Sequence, residues 1–264
     1  MTRDLAALAR VWRDLAALAR RRGVTVAALV AARYGAVPAP ETETETETET
    51  ETETETETET ETEIPVPAPA TLIEHFATLH GFDLSAVEIR PGSTSRTHTI
   101  APGMAVATYA RGADDLATLA LALHEAGHAF LRAASTPSTR AASDPPRWLD
   151  EAAAAWAVRA LEDPRLVPDA ATRAESARRR LHREAVTARL AAFEAAMIAA
   201  TDADAATAAA EIADTTLRAV LSAWPQGLDP TAYPQLFDEP GVMAAYAAAD
   251  RWPQPIPGRK VVAP

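Results

Sequence analysis

His124 and His128 stand four residues apart in an apolar, helix-forming run from Leu116 to Phe130. A helix turns about 100° per residue, so positions i and i+4 fall on one face about a turn apart. The pair therefore demands a helix that carries two imidazoles on one side. Unpaired rings on such an apolar helix would be costly, so they call for a shared partner. The full string is His124-Glu125-Ala126-Gly127-His128, an H-E-x-x-H pattern. It can point two imidazole nitrogens at one cation. Glu125 lies on the adjoining face, within reach of a water at that cation. This is the arrangement of a zinc hydrolase with Glu as general base. Gly127 costs about 1 kcal/mol of helix propensity relative to Ala, and its missing side chain is expected to relieve crowding near the site.

Two histidines do not complete such a site. A third protein ligand is required, with water in the fourth position. Position 131 is Leu and position 134 is Ala, so no nearby histidine supplies it. The best candidate is Glu151, 23 residues beyond His128, in Pro146-Arg147-Trp148-Leu149-Asp150-Glu151 followed by Ala152 to Ala155. Asp150 is the alternative. Residues 135–145 are rich in Ser, Thr and Pro and read as a loop. Such a loop lets the next helix return antiparallel and present Glu151 to the histidines. The alanines permit close helix approach, and Trp148, Leu149 and Trp156 are expected to anchor the helix in the core. The other histidines, 75, 80, 98 and 182, lack partners at ligand spacing and read as surface or core residues.

The formal charge of −12 at pH 7 comes from one place. Residues 41–63 alternate Glu and Thr and hold 12 of the 37 acidic residues, leaving 25 against 25 basic ones. The rest of the chain carries no basic nucleic-acid footprint, so no nucleic-acid partner is expected. The tract has no apolar residue to bury and its glutamates repel one another. It reads as an extended linker running on through Ile64-Pro65-Val66-Pro67-Ala68-Pro69. Three units follow from this: an amphipathic helical segment at 1–37, a linker at 38–69 and a folded domain at 70–264.

In the first unit, residues 2–34 read as helical. Leu5, Leu8, Trp12 and Leu15 follow i, i+3, i+4 spacing. The octet at 3–10 recurs at 13–20, and a ten-residue offset rotates the copies by about 80°. That is no coiled-coil heptad, and the expectation is a helix docked on its own domain. In the last unit a helix at 70–80 precedes short strands at Val87–Arg90, Thr97–Ile100 and Met104–Tyr109, separated by Pro-Gly turns. Beyond them 112–134, 147–163, 169–200, 203–224 and 239–251 read as helices. The fold class is mainly α with a small β-sheet, and the metal site lies between two helices. The chain has no cysteine, which excludes disulfides and thiolate sites and fits a reducing compartment. No apolar run reaches the ~18 residues needed to span a bilayer, and Arg10, Arg13 and Asp14 interrupt any signal-like stretch. The expectation is a soluble, cytoplasmic protein with no membrane partner. Its oligomeric state is left open.

The constellation resembles the gluzincin metallopeptidases, a zincin-like α+β group that uses H-E-x-x-H plus a downstream Glu. Within it, the chain is most similar to the thimet oligopeptidase and oligoendopeptidase F family. Asp115-Leu116-Ala117-Thr118-Leu119 leading to His124 through Ala129 is similar to D-x-x-T-L-x-H-E-x-G-H-A, with three extra residues before the motif. Pro146-Arg147 through Glu151 stands at about the family's distance. Phe193-Glu194, then Pro240-Gly241-Val242-Met243-Ala244-Ala245-Tyr246-Ala247, is similar to P-G-Y-M-x-x-Y-A. The likeness covers roughly residues 86–250. Pro146 to Glu151 also resembles the P-x-W-L-x-E-G run of peptidase-MA-like domains.

The resemblance implies a Zn2+ ion held by His124, His128 and Glu151. It implies a peptide substrate, Glu125 as the proton-transferring residue and Tyr246 as a hydrogen-bond donor to the oxyanion. It also marks departures. The family's C-terminal His and Tyr are replaced by Leu236 and Val242, with Tyr233 a candidate substitute, and a family Glu is replaced by Val158. These departures motivate the alternative of a catalytically weak or inactive zinc- or peptide-binding descendant. A helical interaction protein with a coincidental motif is the third reading.

Overall fold

The computed structural model describes residues 3–35, 67–134, 146–206 and 219–251. The Glu-Thr tract, most of the 38–69 linker, the 135–145 loop and much of the expected 203–224 helix lie outside them. Among the described residues no helix is long and apolar enough to cross a membrane. Helices dominate: α1 (Arg3–Arg22), α2 (Val26–Tyr34), α3 (Pro69–His80), α4 (Asp115–Ala134), α5 (Arg147–Val158), α6 (Ala170–Ala206) and α7 (Met243–Arg251). One small sheet, β1 (Val87–Pro91), β2 (Arg96–Ala101) and β3 (Met104–Tyr109), precedes α4. The result is a zincin-like α+β fold.

The continuous helix expected over residues 2–34 divides in two. Gly23 adopts φ +66°, a left-handed geometry that favours glycine. Thr25 then caps α2, its hydroxyl accepting from Ala28 N at 3.0 Å. The segment expected over 147–163 ends as α-helix at Val158 and tightens into a 3-10 turn, Arg159–Glu162. The stretch expected over 239–251 becomes helical only at Met243.

β3 is the central strand, pairing parallel with β1 and antiparallel with β2. This leaves β2 at an edge. Ala105 and Ala107 of β3 are buried against Ala129 of α4. Small residues on both sides let the sheet lie close along the helix that carries the H-E-x-x-H pattern. Asp114, just before α4, caps it: its carboxylate accepts from Ala117 N at 2.7 Å.

Two apolar clusters flank the centre. One joins Leu72, Ile73 and Phe76 of α3 to Leu119, Leu123 and Phe130 of α4 and Ala153 and Ala157 of α5. Trp156 and Leu149 pack against it. The other joins Leu8 and Trp12 of α1 to Leu190, Phe193 and Met197 of α6 and Met243 and Ala245 of α7. Trp148 packs against this second cluster, so neighbouring positions of α5 grip both. The amphipathic stripe of α1 is thus docked on α6.

α6 also supplies caps to other helices. Asp202 accepts from Val26 N at 2.6 Å and Ala27 N at 3.2 Å, satisfying the start of α2. Buried Glu194 accepts from Gly241 N and Met243 N, both at 2.7 Å, and so fixes the start of α7. Burial pushes the Glu194 carboxyl up to about 7 against the opposing pull of those two N–H donors.

At Gly127 the α4 and α5 backbones come into close approach. A methyl group there would lie 2.7 Å from Ala153 O, 2.7 Å from Ala154 Cα and 3.0 Å from Ala154 N. All three are backbone atoms, which cannot swing aside as a side-chain tip can. Gly127→Ala gains about 1 kcal/mol of helix propensity, but inserting the methyl group is expected to cost more. The expected outcome is a net loss of about 1 to 2 kcal/mol in a urea or thermal melt. A melting temperature equal to or above wild type would show that this contact does not set the helix spacing.

Candidate metal centre

α4 projects His124 and His128 toward α5, and α5 projects Glu151 back. His124 Nε2 and His128 Nε2 are 3.1 Å apart. Glu151 Oε2 lies 3.6 Å from the first and 3.8 Å from the second. In a tetrahedral zinc site with bonds of about 2.0 to 2.1 Å, donor atoms sit about 3.3 Å from one another. The three donors match that spacing closely. Among the described residues they form the only group of three or more such ligands placed to hold a metal. H-E-x-x-H followed by a glutamate on the next helix is the donor set of a gluzincin zinc metallopeptidase. Nitrogen and oxygen donors of this kind suit Zn2+.

The electrostatics favour one bound cation. Although about a third of its side chain stays exposed, desolvation in the helix pair depresses the His124 pKa well below its ordinary value, and the charge of His128 adds to this. His124 therefore keeps a neutral ring with a lone pair to donate. Burial alone would depress His128 too, but Asp150, Glu151 and Glu125 outweigh it and raise that pKa. Glu151 is pushed up to about 7 by burial, although His128 and Arg147 pull the other way. A metal ion would relieve the same strain that a proton relieves at this carboxylate.

Surrounding groups orient these donors. Asp150 Oδ1 lies 3.0 Å from His128 Nδ1 and pairs with that side of the ring. It leaves Nε2 facing the other donors. Arg132, one turn beyond His128, donates from Nη2 to Asp150 Oδ2 at 2.8 Å. Despite burial, His128 and Arg132 hold the Asp150 pKa down to about 2. Arg147 Nε sits 3.0 Å from Glu151 Oε1, leaving Oε2 for the histidines. Its Nη2 donates to Tyr246 OH at 3.0 Å. Glu125 is buried beside the histidines, and Thr97 of β2 donates to its Oε2 at 2.7 Å.

Two cavities meet at the donors. One, about 380 Å3, runs along β2 past Thr97, His98 and Glu125. The other, about 310 Å3, lies between α5, α6 and α7 and is lined by Ala155, Val186, Leu190 and Met243 among others. His124, Glu151, Gln235 and Tyr246 border both.

The structure therefore brings together His124, Glu125, His128, Glu151 and Tyr246. Asp150 stands behind His128, not among the three converging donor atoms. Tyr233 borders the second cavity. Leu236 and Val242 are buried in the apolar cluster around α6, away from both cavities. His80 packs in an aromatic group with Phe76 and Trp156, 4.7 Å from each. Sequence reasoning did not single out Thr97, Arg132 or Arg147 as parts of the site. Arg132 and Arg147 do stand at i+4 from His128 and i−4 from Glu151, a spacing that places them on the ligands' helical faces. Thr97 had no such signal. Compared with family models, curated proteins and solved structures, the chain matches none.

Two outcomes are expected. Asp150→Asn removes the charge behind His128, and zinc affinity measured by competition with a chromophoric chelator should fall about 10- to 100-fold. Unaltered affinity would mean that Asp150 does not support the site. The second concerns pH. Between 4.5 and about 7 the folded, metal-free protein keeps a proton on Glu151 that the unfolded chain has released. The stability contribution of this group is thus full below 4.5 and is lost as pH rises through about 7. Zinc must displace that proton, so its affinity should climb with pH across the same window. Chelator competition at several pH values checks this, and a flat profile would contradict it.

Proposed function

We propose that the protein hydrolyses peptide bonds, chiefly in short peptides, with His124, His128 and Glu151 as zinc ligands and Glu125 as general base. The observation that carries this reading is the convergence of the three donors beside a buried Glu125, where two cavities meet. Zinc held by these three residues would supply Lewis-acid polarisation of the scissile carbonyl and acidify the attacking water. Glu125 accepts a proton from the attacking water and later delivers it to the leaving amine. Tyr246 faces the same centre. Burial, then the Glu151 charge, push its pKa up to about 12, so it stays protonated and able to donate to the oxyanion. Arg147 holds its oxygen in place.

Short peptides suit the opening. β2 is an edge strand alongside the polar cavity, and such edges accept an extended chain as an added strand. The second cavity then receives a side chain beyond the donors. Residues 70–264 carry the chemistry in this reading, with the 1–37 segment buttressing α6 across the 38–69 linker. The absence of cysteine fits a cytoplasmic setting.

A second reading is a protein that retains the metal but cleaves weakly or only binds peptides. The observation behind it is the apolar burial of Leu236 and Val242, where the family it resembles has a His and a Tyr. One pair of variants separates the two. Glu125→Gln should keep one zinc per chain by metal analysis and lose cleavage of a short-peptide library. Tyr246→Phe should keep zinc and lower kcat about 10- to 100-fold. Zinc-loaded wild type that cleaves nothing would favour the second reading, and unchanged turnover in Glu125→Gln would overturn the first.

A further inference from the structure

We infer that Thr97 is a positioning residue for Glu125, fixing the general base through its hydroxyl while its own backbone is anchored to α4. The inference rests on the peptidase reading above.

Thr97 lies on β2, 28 residues before Glu125 in sequence. Its Oγ1 is 2.7 Å from Glu125 Oε2 and 3.3 Å from Glu125 O. A threonine hydroxyl has one proton to give. The carboxylate is nearer and charged, so it takes that proton in a short, charge-assisted bond. The backbone carbonyl of Glu125 lies within α4, where an N–H four residues on serves it. Among the described residues the Glu125 carboxylate makes no other hydrogen bond. One oxygen is thus committed to Thr97, and the other is free for a water in the adjoining cavity.

The same residue is held from behind. Arg132 Nη1 donates to Thr97 O at 2.8 Å, while its Nη2 donates to Asp150 Oδ2 at 2.8 Å. Glu125 and Arg132 are seven apart on α4, nearly in line along the face that meets β2. Asp150 continues the chain to His128. Thr97 therefore ties the general base to the network that orients a zinc ligand. A threonine on an edge strand has an ordinary alternative, strand propensity and packing. That alternative predicts no dependence on the hydroxyl. The geometry predicts that catalysis depends on the hydroxyl and that valine, equal in shape, fails.

The test uses the full-length, zinc-loaded chain with Thr97→Val and Thr97→Ser. Loss of a hydrogen bond to a charged group is expected to lower kcat about 10- to 100-fold. KM should stay within about twofold, and the serine variant should recover most of the rate. Zinc content and chelator-competition affinity should match wild type. A kcat for Thr97→Val within about twofold of wild type would overturn the proposal. So would failure of serine to rescue, or a parallel fall in kcat, zinc affinity and melting temperature. If wild type cleaves no peptide at all, the peptidase reading fails by itself. The contact is then judged by a double-mutant cycle in melting temperature between Thr97→Val and Glu125→Ala. Non-additive shifts sustain Thr97 as the residue holding Glu125, and additive shifts remove it.

Discussion

The contact of Gly127 with the Ala153–Ala154 backbone is the constraint on which the rest of this protein depends. Donor atoms in a zinc site sit about 3.3 Å apart, so the helices that carry them must be held near enough for short side chains to converge. Any side chain at 127 would collide with α5 backbone. The run of alanines facing it, Ala152 to Ala155, is fully or nearly fully buried. Alanine adds little hydrophobic burial per residue. Its contribution here is proximity, and the larger apolar residues to either side supply the burial that keeps the two helices together.

That proximity creates an electrostatic problem that the surrounding residues address. His124, Glu125, His128, Asp150 and Glu151 lie within one small region, and all but His124 are buried. Buried charges are tolerated when they are paired and hydrogen-bonded. Arg132 pairs with Asp150, and Arg147 pairs with Glu151 and donates to Tyr246. Each arginine comes from the same helix as the residue it serves or from the helix it faces. The Arg132 guanidinium balances Asp150 behind His128, and that of Arg147 sits on the Glu151 oxygen turned away from the histidines, so Oε2 stays directed at the centre. The chemistry of the site and the stability of the helix pair are thus two aspects of one arrangement.

The C-terminal region is organised by a different device. α6 is long enough to span the second apolar cluster, and its acidic side chains cap two shorter helices, Asp202 at α2 and Glu194 at α7. Capping by Glu194 sets where α7 begins, and with it the position of Tyr246 in the first turn. Leu236 and Val242 face the cluster that holds α7 in place. Leu236 and Val242 thus serve packing, while Tyr246, on the same stretch of chain, borders both cavities at the donors.

Local spacing determined a good deal. The i, i+4 histidines, the alanine run and the tryptophans around Asp150-Glu151 made the two-helix site and its third ligand legible, because helical periodicity converts separation along the chain into direction in space. The short strands were legible from their Pro-Gly turns. What spacing along the chain does not contain is the partner of each polar side chain across elements. Whether Asp150 or Glu151 would face the histidines turned on the rotation of α5 between two apolar clusters, since adjacent residues point about 100° apart. Thr97 reached Glu125 only because β2 lies at the sheet edge beside α4, a pairing order that no local pattern encodes. The sequence by itself determined which residues can bind a metal and on what helical faces. The tertiary structure decided which of them meet and which hydrogen bonds hold them, because those depend on the packing of distant apolar surfaces.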